Sequence, residues 1–459
     1  VSTDLHDPRV QRRMLAAAVL ASFVSFLDGS ITNIALPAIG RDLGGGVVTQ
    51  QWVVDGYLLT VSAFILLSGA VSDSFGRLRV LRVALVAFAA TSALCALAPT
   101  AGVLIAARLL QGVAGALLVP GSLGLIIAVY SGAAQAKAIG AWTAWTSVSS
   151  LFGPVVGGVL VDALGWRSVF VVGLVPAAAS MVLLGRFRDA AHDGARARVD
   201  LPSAALAAVG LGLVTVGLIE IGGGARAVLP PAGAALLLVA GLAVLGGFLA
   251  RDRRAEHPLV PPALFAARNF SAGNGATFFI YGGLGLAFLV PALYVQQVLR
   301  VPATVAALIG LPSTILLILL SGRFGALAGR LGARRFMTAG PLISAAGALL
   351  WTLTATGGAQ LVFVAVGTAV VGLGLSMTVA PLTAAVLGAV PESESGIGSA
   401  VNNAVARVAG LIATACAGLI LGGAVGTAGF VRVAVVVAVL LAIGAAVSSA
   451  GIRGRASTS

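Results

Sequence analysis

Apolar runs recur along the whole chain, separated by short polar or charged stretches. Each is close to the ~20 residues a helix needs to cross a bilayer. Fourteen can be placed, at 14–36, 49–70, 80–99, 102–125, 137–161, 167–186, 201–221, 228–250, 271–295, 303–323, 335–355, 360–383, 396–421 and 428–450. Two depart from a clean apolar pattern: 303–323 holds Pro312, and 396–421 holds Asn402, Asn403 and Arg407. In lipid every backbone group must be satisfied within the chain, which selects helices. The pattern predicts an all-α integral membrane protein with fourteen transmembrane helices.

The polar stretches group the runs as six, two and six. Residues 185–200 are charged, and 251–269 are polar around HPLVPP. The runs between them, 201–221 and 228–250, are interrupted only near one end, by Glu220 and Arg226. This predicts an N-terminal six-helix bundle over 14–198, two added lipid-facing linker helices over 199–255, and a C-terminal six-helix bundle over 256–450. Ordinary bundle membership is the alternative for the added pair. A repeat favours insertion: GAVSDSFGRLRVL at 69–81 returns as GALAGRLGARRFM at 325–337. Gly69 aligns with Gly325, Gly76 with Gly332 and Arg79 with Arg335, while Asp73 becomes Gly329. Each copy then follows the second run of its six. Internal repeats in an apolar chain mark secondary transporters.

Composition agrees with the bilayer as solvent. The chain is 59% hydrophobic and 9% charged, against about 25% charged in a soluble domain. Its mean hydropathy is +1.06. The net charge of +13 reflects 27 Arg and Lys137 against 15 acidic residues, and the basic residues sit mostly in short loops, which reads as topology rather than nucleic-acid binding. With the N-terminus cytoplasmic, the inner segments hold 21 basic residues and the outer five, with Arg108 and Arg407 inside runs. Both termini are therefore expected inside. The first run follows Arg9, Arg12 and Arg13 but carries Asp28 and shows no convincing cleavage site, so it reads as a retained helix. Cys95 and Cys416 lie in apolar runs without metal-ligand spacing, and His6, His192 and His257 fall in polar segments. No metal, no cofactor beyond protons and no enzymatic nucleophile–base pair is expected.

Candidate chemistry rests on the few polar residues inside the runs. Asp28, in SFLDGSITNIALPAI, is too costly to face lipid at ~2.5–3.5 kcal/mol on insertion scales. Desolvation raises a carboxyl pKa toward a proton carrier's range. A hydrogen-bonded structural role is the alternative. Ser25, Thr32 and Asn33 share its neighbourhood. Asp55, in QWVVDGYLLT, has Trp52 and Tyr57 nearby. A carboxylate beside aromatic rings suits an organic cation, and an interfacial aromatic belt fits equally. Arg108, with Gln111 on its face, is the sole base of its run and needs a partner, for which Asp28 is the candidate. Gly153, Pro154, Gly157 and Gly158 form a kinked small-residue face, read as a gasket between bundles or as ordinary tight packing. In the repeated turn, Gly69, Asp73, Gly76, Arg77 and Arg79 read as a conformational latch, with Asp73 favouring the start of the third helix. Tyr281, Tyr294, Asn402 and Asn403 are candidate lining residues of the second half.

Taken together these segments resemble the major facilitator superfamily, and within it the fourteen-span drug:proton antiporters. GAVSDSFGRLRVL is similar to the superfamily's cytoplasmic loop motif, ARLLQGVAGAL to its fourth-span arginine motif and GPVVGG to its fifth-span antiporter motif. LDGSITNIALPAI and PESESGIGSAVNNAVARVAG resemble first- and thirteenth-span signatures of the fourteen-span group. The resemblance implies a major-facilitator fold. It also implies proton-coupled export of amphiphilic, cationic drugs or antiseptics by alternating access in the bacterial plasma membrane. Asp28, Asp55 and Arg108 would carry proton coupling. Asp28, Asn33, Trp52, Asp55, Tyr57, Gln111, Tyr281, Tyr294, Asn402 and Asn403 would bind substrate. The expected partners are a small amphiphile, protons and the bilayer, with the protein a monomer. A narrow exporter of one metabolite, self-made antibiotic or siderophore is the rival. Second-half carboxylates found in some multidrug members are missing here.

Overall fold

A computed structural model describes residues 7–185, 187, 201–223, 227, 229–255, 258, 260–391 and 395–453. Arg186, Arg188, Arg196, Arg198, Arg226 and Arg455 lie outside the described residues, as do the side chains of Gly69, Asp73 and Lys137. Sixteen α-helices and two 3-10 segments, and no strand, occur among the described residues. They run α1 (Pro8–Leu43), α2 (Gly46–Phe75), α3 (Arg77–Ala96), α4 (Ala101–Val129), α5 (Gly132–Leu164), α6 (Ser168–Val172), α7 (Leu174–Leu184), α8 (Leu201–Gly223) and α9 (Pro231–Asp252). Then follow α10 (Arg268–Gln297), α11 (Ala303–Leu331), α12 (Ala333–Leu350), α13 (Gln360–Leu387), α14 (Ser395–Ala415), α15 (Ala417–Leu421) and α16 (Thr427–Gly451). α6 and α7 share one predicted span, broken at Gly173, and α14 and α15 share another, broken at Cys416. Each of the fourteen predicted runs thus carries helix. Eleven helices are individually long and apolar enough to cross a membrane, counted among the described residues.

Two expectations change. Pro312 does not break its span, because α11 runs through it. The charged turn at 69–81 shrinks to one residue, Gly76, with φ 89° and ψ 128° between α2 and α3. Asp73 therefore lies in the last turn of α2, where carbonyls rather than amides are unpaired, and not at the start of the next helix. The repeat holds at the backbone: Gly332 joins α11 to α12 with φ 91° and ψ 131°.

Packing divides the chain into two units, Val1–Gly45 with Trp52–Ala208, and Gly46–Gln51 with Val209–Ser459. In the first, Ala17, Ala18 and Ala21 of α1 are fully buried in a core with Leu81, Leu85 and Phe88 of α3 and Leu118 of α4. Lipid offers no hydrophobic drive between helices, so close fit must hold them. A Cβ at Gly153 would lie 1.9 Å from Ser30 Oγ, and one at Gly157 2.5 Å from Ile31 Cγ1. The glycine face of α5 therefore packs tightly on α1 inside the same unit. Gly158 is buried and Pro154 half-buried.

In the second unit, Gly347 of α12 and Gly367 of α13 face each other so closely that either Cβ would come within 2.7 Å of the other's carbonyl oxygen. Trp351, Phe430 and Tyr294 stack beside them, with ring centroids 4.1 Å apart for Tyr294–Phe430 and 5.8 Å for Trp351–Phe430. The added helices differ from each other. α9 exposes Leu236, Val239 and Leu242, whereas α8 pairs with it through Gly210, Gly217 and Gly241. Glu220 is buried and accepts a 2.8 Å hydrogen bond from the Leu229 amide in the α8–α9 turn.

Gly76→Ala and Gly332→Ala should each cost ~1–3 kcal/mol, because an L residue is strained at these dihedrals. Gly329→Ala, in a helix with nothing near a new Cβ, should not destabilise. Melting curves in detergent check this. Equal losses at Gly329 and Gly332 would contradict the account.

Candidate functional site

Arg108 is buried to 1% exposure in α4, and its Nε and Nη1 are placed by neighbours. Nη1 donates to Asp28 Oδ2 at 2.6 Å and to Gln111 Oε1 at 2.7 Å, and Nε donates to the Val53 carbonyl at 2.9 Å. Gln111 closes the ring: its Nε2 donates to Asp28 Oδ1 at 3.1 Å and to Ser92 Oγ at 2.8 Å. One residue pair on α4, three apart and so on one face, thereby ties α1, α2 and α3 to itself. The Tyr57 ring lies 4.4 Å from the guanidinium carbon and the Phe170 ring 5.8 Å, adding cation–π attraction. Tyr57 reaches this position because α4 has glycines under it. A Cβ at Gly112 would lie 2.4 Å from the Tyr57 carbonyl oxygen, and one at Gly115 2.7 Å from its hydroxyl. That hydroxyl is 3.0 Å from Ser25 Oγ.

A buried ion pair persists only when its remaining donors and lone pairs are also matched. Here they are. Asp28 ties α1 to α4, while the bonds of Arg108 to Val53 and Gln111 do not involve α1. Asp28 lines a hollow with Leu27, Ile31, Phe88, Ser92, Val169, Phe170 and Gly173 that is too tight for a water molecule.

The remaining predicted residues separate. Asp55 is fully buried, not a solvated group at the mouth, and Trp52 is half-buried. Tyr57 belongs to the Arg108 cluster rather than to an aromatic site around Asp55, since residues two apart on a helix diverge. Asn33 and Tyr281 are half-buried. Tyr294 is fully buried in its stack, with its hydroxyl 3.3 Å from Thr427 Oγ1, so it packs rather than lines a cavity. Asn402 Nδ2 donates to Asn274 Oδ1 at 3.1 Å and Thr277 Oγ1 at 2.8 Å, joining α14 to α10. Asn403 is exposed and bonds back to the Ser399 carbonyl.

A family model described as Major Facilitator Superfamily matches residues 18–414. The chain belongs to the major facilitator superfamily. It is a multi-pass membrane protein. Among its relatives is a probable actinorhodin transporter of Streptomyces coelicolor, 33% identical over 433 residues and spanning 92% of this chain and 74% of that protein. The methylenomycin A resistance protein of the same organism is 32% identical, covering 88% of this chain and 84% of that one. Multidrug resistance protein Stp of Mycobacterium tuberculosis is 31% identical, covering 90% and 76%. The fold matches a solved POT family transporter bound to a thioalcohol-conjugated peptide, with TM-score 0.72 over 94% of this chain and 95% of that one at 12% identity. It also matches a bacterial homologue of the lysosomal transporter Spinster, captured inward-facing, with TM-score 0.67 over 97% of both at 16% identity.

In this superfamily member the basic residues of the α2–α3 joint hold carbonyls. Arg77 Nη1 donates to Gly124 of α4 at 2.9 Å, Arg82 donates to Leu184 and Phe187 at the end of α7, and Arg79 is exposed. Sequence reasoning missed Ser92, Phe170 and the Val53 carbonyl, which no motif announces. It also missed Asp42 at the end of α1. Trp166 Nε1 and Arg167 Nη1 donate to Asp42 Oδ2 at 2.8 and 2.7 Å. Those two bonds, the tryptophan's first, hold its carboxyl below the usual aspartate value.

Arg108→Leu should destabilise the protein by ~3–5 kcal/mol by stranding Asp28, and adding Asp28→Leu should restore most of the loss. Gln111→Leu should cost ~1–3 kcal/mol. A double-mutant cycle on melting temperature reads the coupling; additive losses from Asp28 and Arg108 would contradict it.

Proposed function

We propose that this protein is a secondary antiporter that expels amphiphilic organic compounds, cations among them, in exchange for protons. The observation that carries this reading is the buried Asp28–Arg108–Gln111 cluster. It is a carboxylate held by a cation across helices in a chain whose relatives are named for drug resistance. The basic-residue asymmetry supports a bacterial plasma-membrane location with both termini cytoplasmic. Asp28 and Asp55 take up protons or serve substrate, but not freely both. Arg108 senses the change. Asn33, Trp52, Asn402, Asn403 and Tyr281 line the substrate path, and Gln111 reports its occupancy through Asp28. Six helices, the α8–α9 pair and six more form the working protein, a monomer in lipid that needs no cofactor beyond protons and binds no nucleic acid. The joints at Gly76 and Gly332 bend as the halves alternate, and Gly69, Asp73, Arg77 and Arg79 latch the inner side. Each charge moved down the potential supplies ~2.3 kcal/mol per 100 mV.

A narrower reading also has support. Several relatives are named for a single antibiotic: actinorhodin, methylenomycin A, tetracenomycin C and puromycin. Export of one such compound by the same proton-coupled cycle is the second reading.

Efflux from proteoliposomes under an imposed pH gradient separates them. The first reading predicts gradient-dependent ethidium efflux that Asp55→Asn lowers by about tenfold, a change of ~1.4 kcal/mol in transition-state free energy. Ethidium left inside while a neutral or acidic antibiotic is expelled supports the second. If neither moves with the gradient, proton-coupled export is wrong.

A further inference from the structure

Gln51, in the second turn of α2, is used by none of the chemistry above. Its side chain is 1% exposed, and its Nε2 donates to the carbonyls of Thr414 and Ala415, both at 2.9 Å. These are the last two residues of α14, before the break at Cys416 and the restart as α15. Carbonyls at a helix end lose their intrahelical donors and need others. Gln51 supplies them from another helix.

The approach is close on two further sides. A Cβ at Gly418 would lie 2.7 Å from Gln51 Oε1. A Cβ at Gly222, near the end of α8, would lie 2.5 Å from the Leu419 amide nitrogen. So the start of α2 and the end of α8 meet the α14–α15 break at one place. Upstream of α2, Gly44, Gly45 and Gly46 have φ 78°, 79° and 58° in succession. Three left-handed residues in a row would cost other residues about 1–2 kcal/mol each. Glycine leaves this joint able to re-aim. Gly46–Gln51 packs with the second unit, whereas Trp52 onward packs with the first.

We infer that Gln51 is the bolt of a clasp on the α14–α15 break, and that the end of α8 is its backing plate. That the clasp faces the outer side rests on the orientation and alternating cycle proposed above. The amide can leave two buried carbonyls only if water replaces it, so the bonded and released states are discrete. The added helix pair then takes part in the cycle, because Gly222 sets how closely the break is held.

Cys416 is a native reporter, half-buried at the break, while Cys95 is fully buried in the first unit. In intact cells expressing the full chain, a membrane-impermeant maleimide is applied from outside and the labelled cysteine is read by mass spectrometry. Gln51→Leu removes both bonds, and Gln51→Glu keeps the shape but not the donor. Each should speed Cys416 labelling about tenfold. Gly222→Ala touches no hydrogen bond of Gln51 and should also speed it, by prising α8 off the break. Unchanged labelling in all three variants overturns the clasp. So does a rise seen only together with Cys95, which marks global unfolding. The labelling needs no transported substrate, so it stays readable if the export reading fails, and export can stand if the clasp does not.

Discussion

A guanidinium cannot be hydrated at the middle of a helix bundle in lipid, and it cannot be neutralised by losing its proton. Once Arg108 is buried, its neighbours are dictated. It needs an anion, a second acceptor and a backbone carbonyl, and it finds them as Asp28 of α1, Gln111 one turn along α4 and the Val53 carbonyl of α2. The first unit is arranged around that demand. α1, α2 and α3 are placed where their groups can reach α4, and Gly112 and Gly115 thin α4 so that Tyr57 can cover the cation. Asp28 is the α1 member of a cluster drawn from four helices.

Close approach is the second constraint. Without a hydrophobic drive, helices in lipid hold together by fit, and the glycines mark where fit is tightest. Gly153 and Gly157 set α5 on α1, Gly347 and Gly367 set α12 on α13, and Gly222 sets α8 on the α14–α15 break. These are rigid contacts. The joints at Gly44–Gly46, Gly76 and Gly332 have backbone dihedrals that favour glycine, and the proposed cycle turns at them. Transport in this view is rigid packing turned at glycine joints, with polar clusters choosing the state.

The fold was legible because a bilayer leaves few options: an apolar run of about twenty residues must be helix. Helix ends were less legible. α1 extends from Pro8 to Leu43, past the apolar run on both sides, since polar turns continue a helix beyond the hydrocarbon. The Gly76 and Gly332 repeat could be read because a required positive φ leaves glycine in the sequence. Asp28 with Arg108 could be read as a candidate pair because an intramembrane cation has few possible partners. Tyr57 was misplaced by nearness in sequence to Asp55, although helical geometry sends residues two apart in different directions. The partner of the α5 glycines was not legible, since small residues announce a close neighbour without naming it. Backbone acceptors such as Val53, Thr414 and Ala415 leave no trace in residue type, which hid the acceptor ends of the Arg108 and Gln51 contacts.

The central claim is that Asp28 couples a proton to the state of Arg108, rather than merely holding the bundle together. Two transport modes separate these roles in proteoliposomes. Substrate exchange at equal pH on both sides needs the protein to alternate but not to move protons. Gradient-driven efflux needs both. For Asp28→Asn, which keeps hydrogen-bonding capacity but fixes the side chain neutral, exchange should continue within about twofold of wild type while gradient-driven efflux is lost. Loss of both modes together in folded protein would make Asp28 structural. Retention of both would remove it from the coupling altogether.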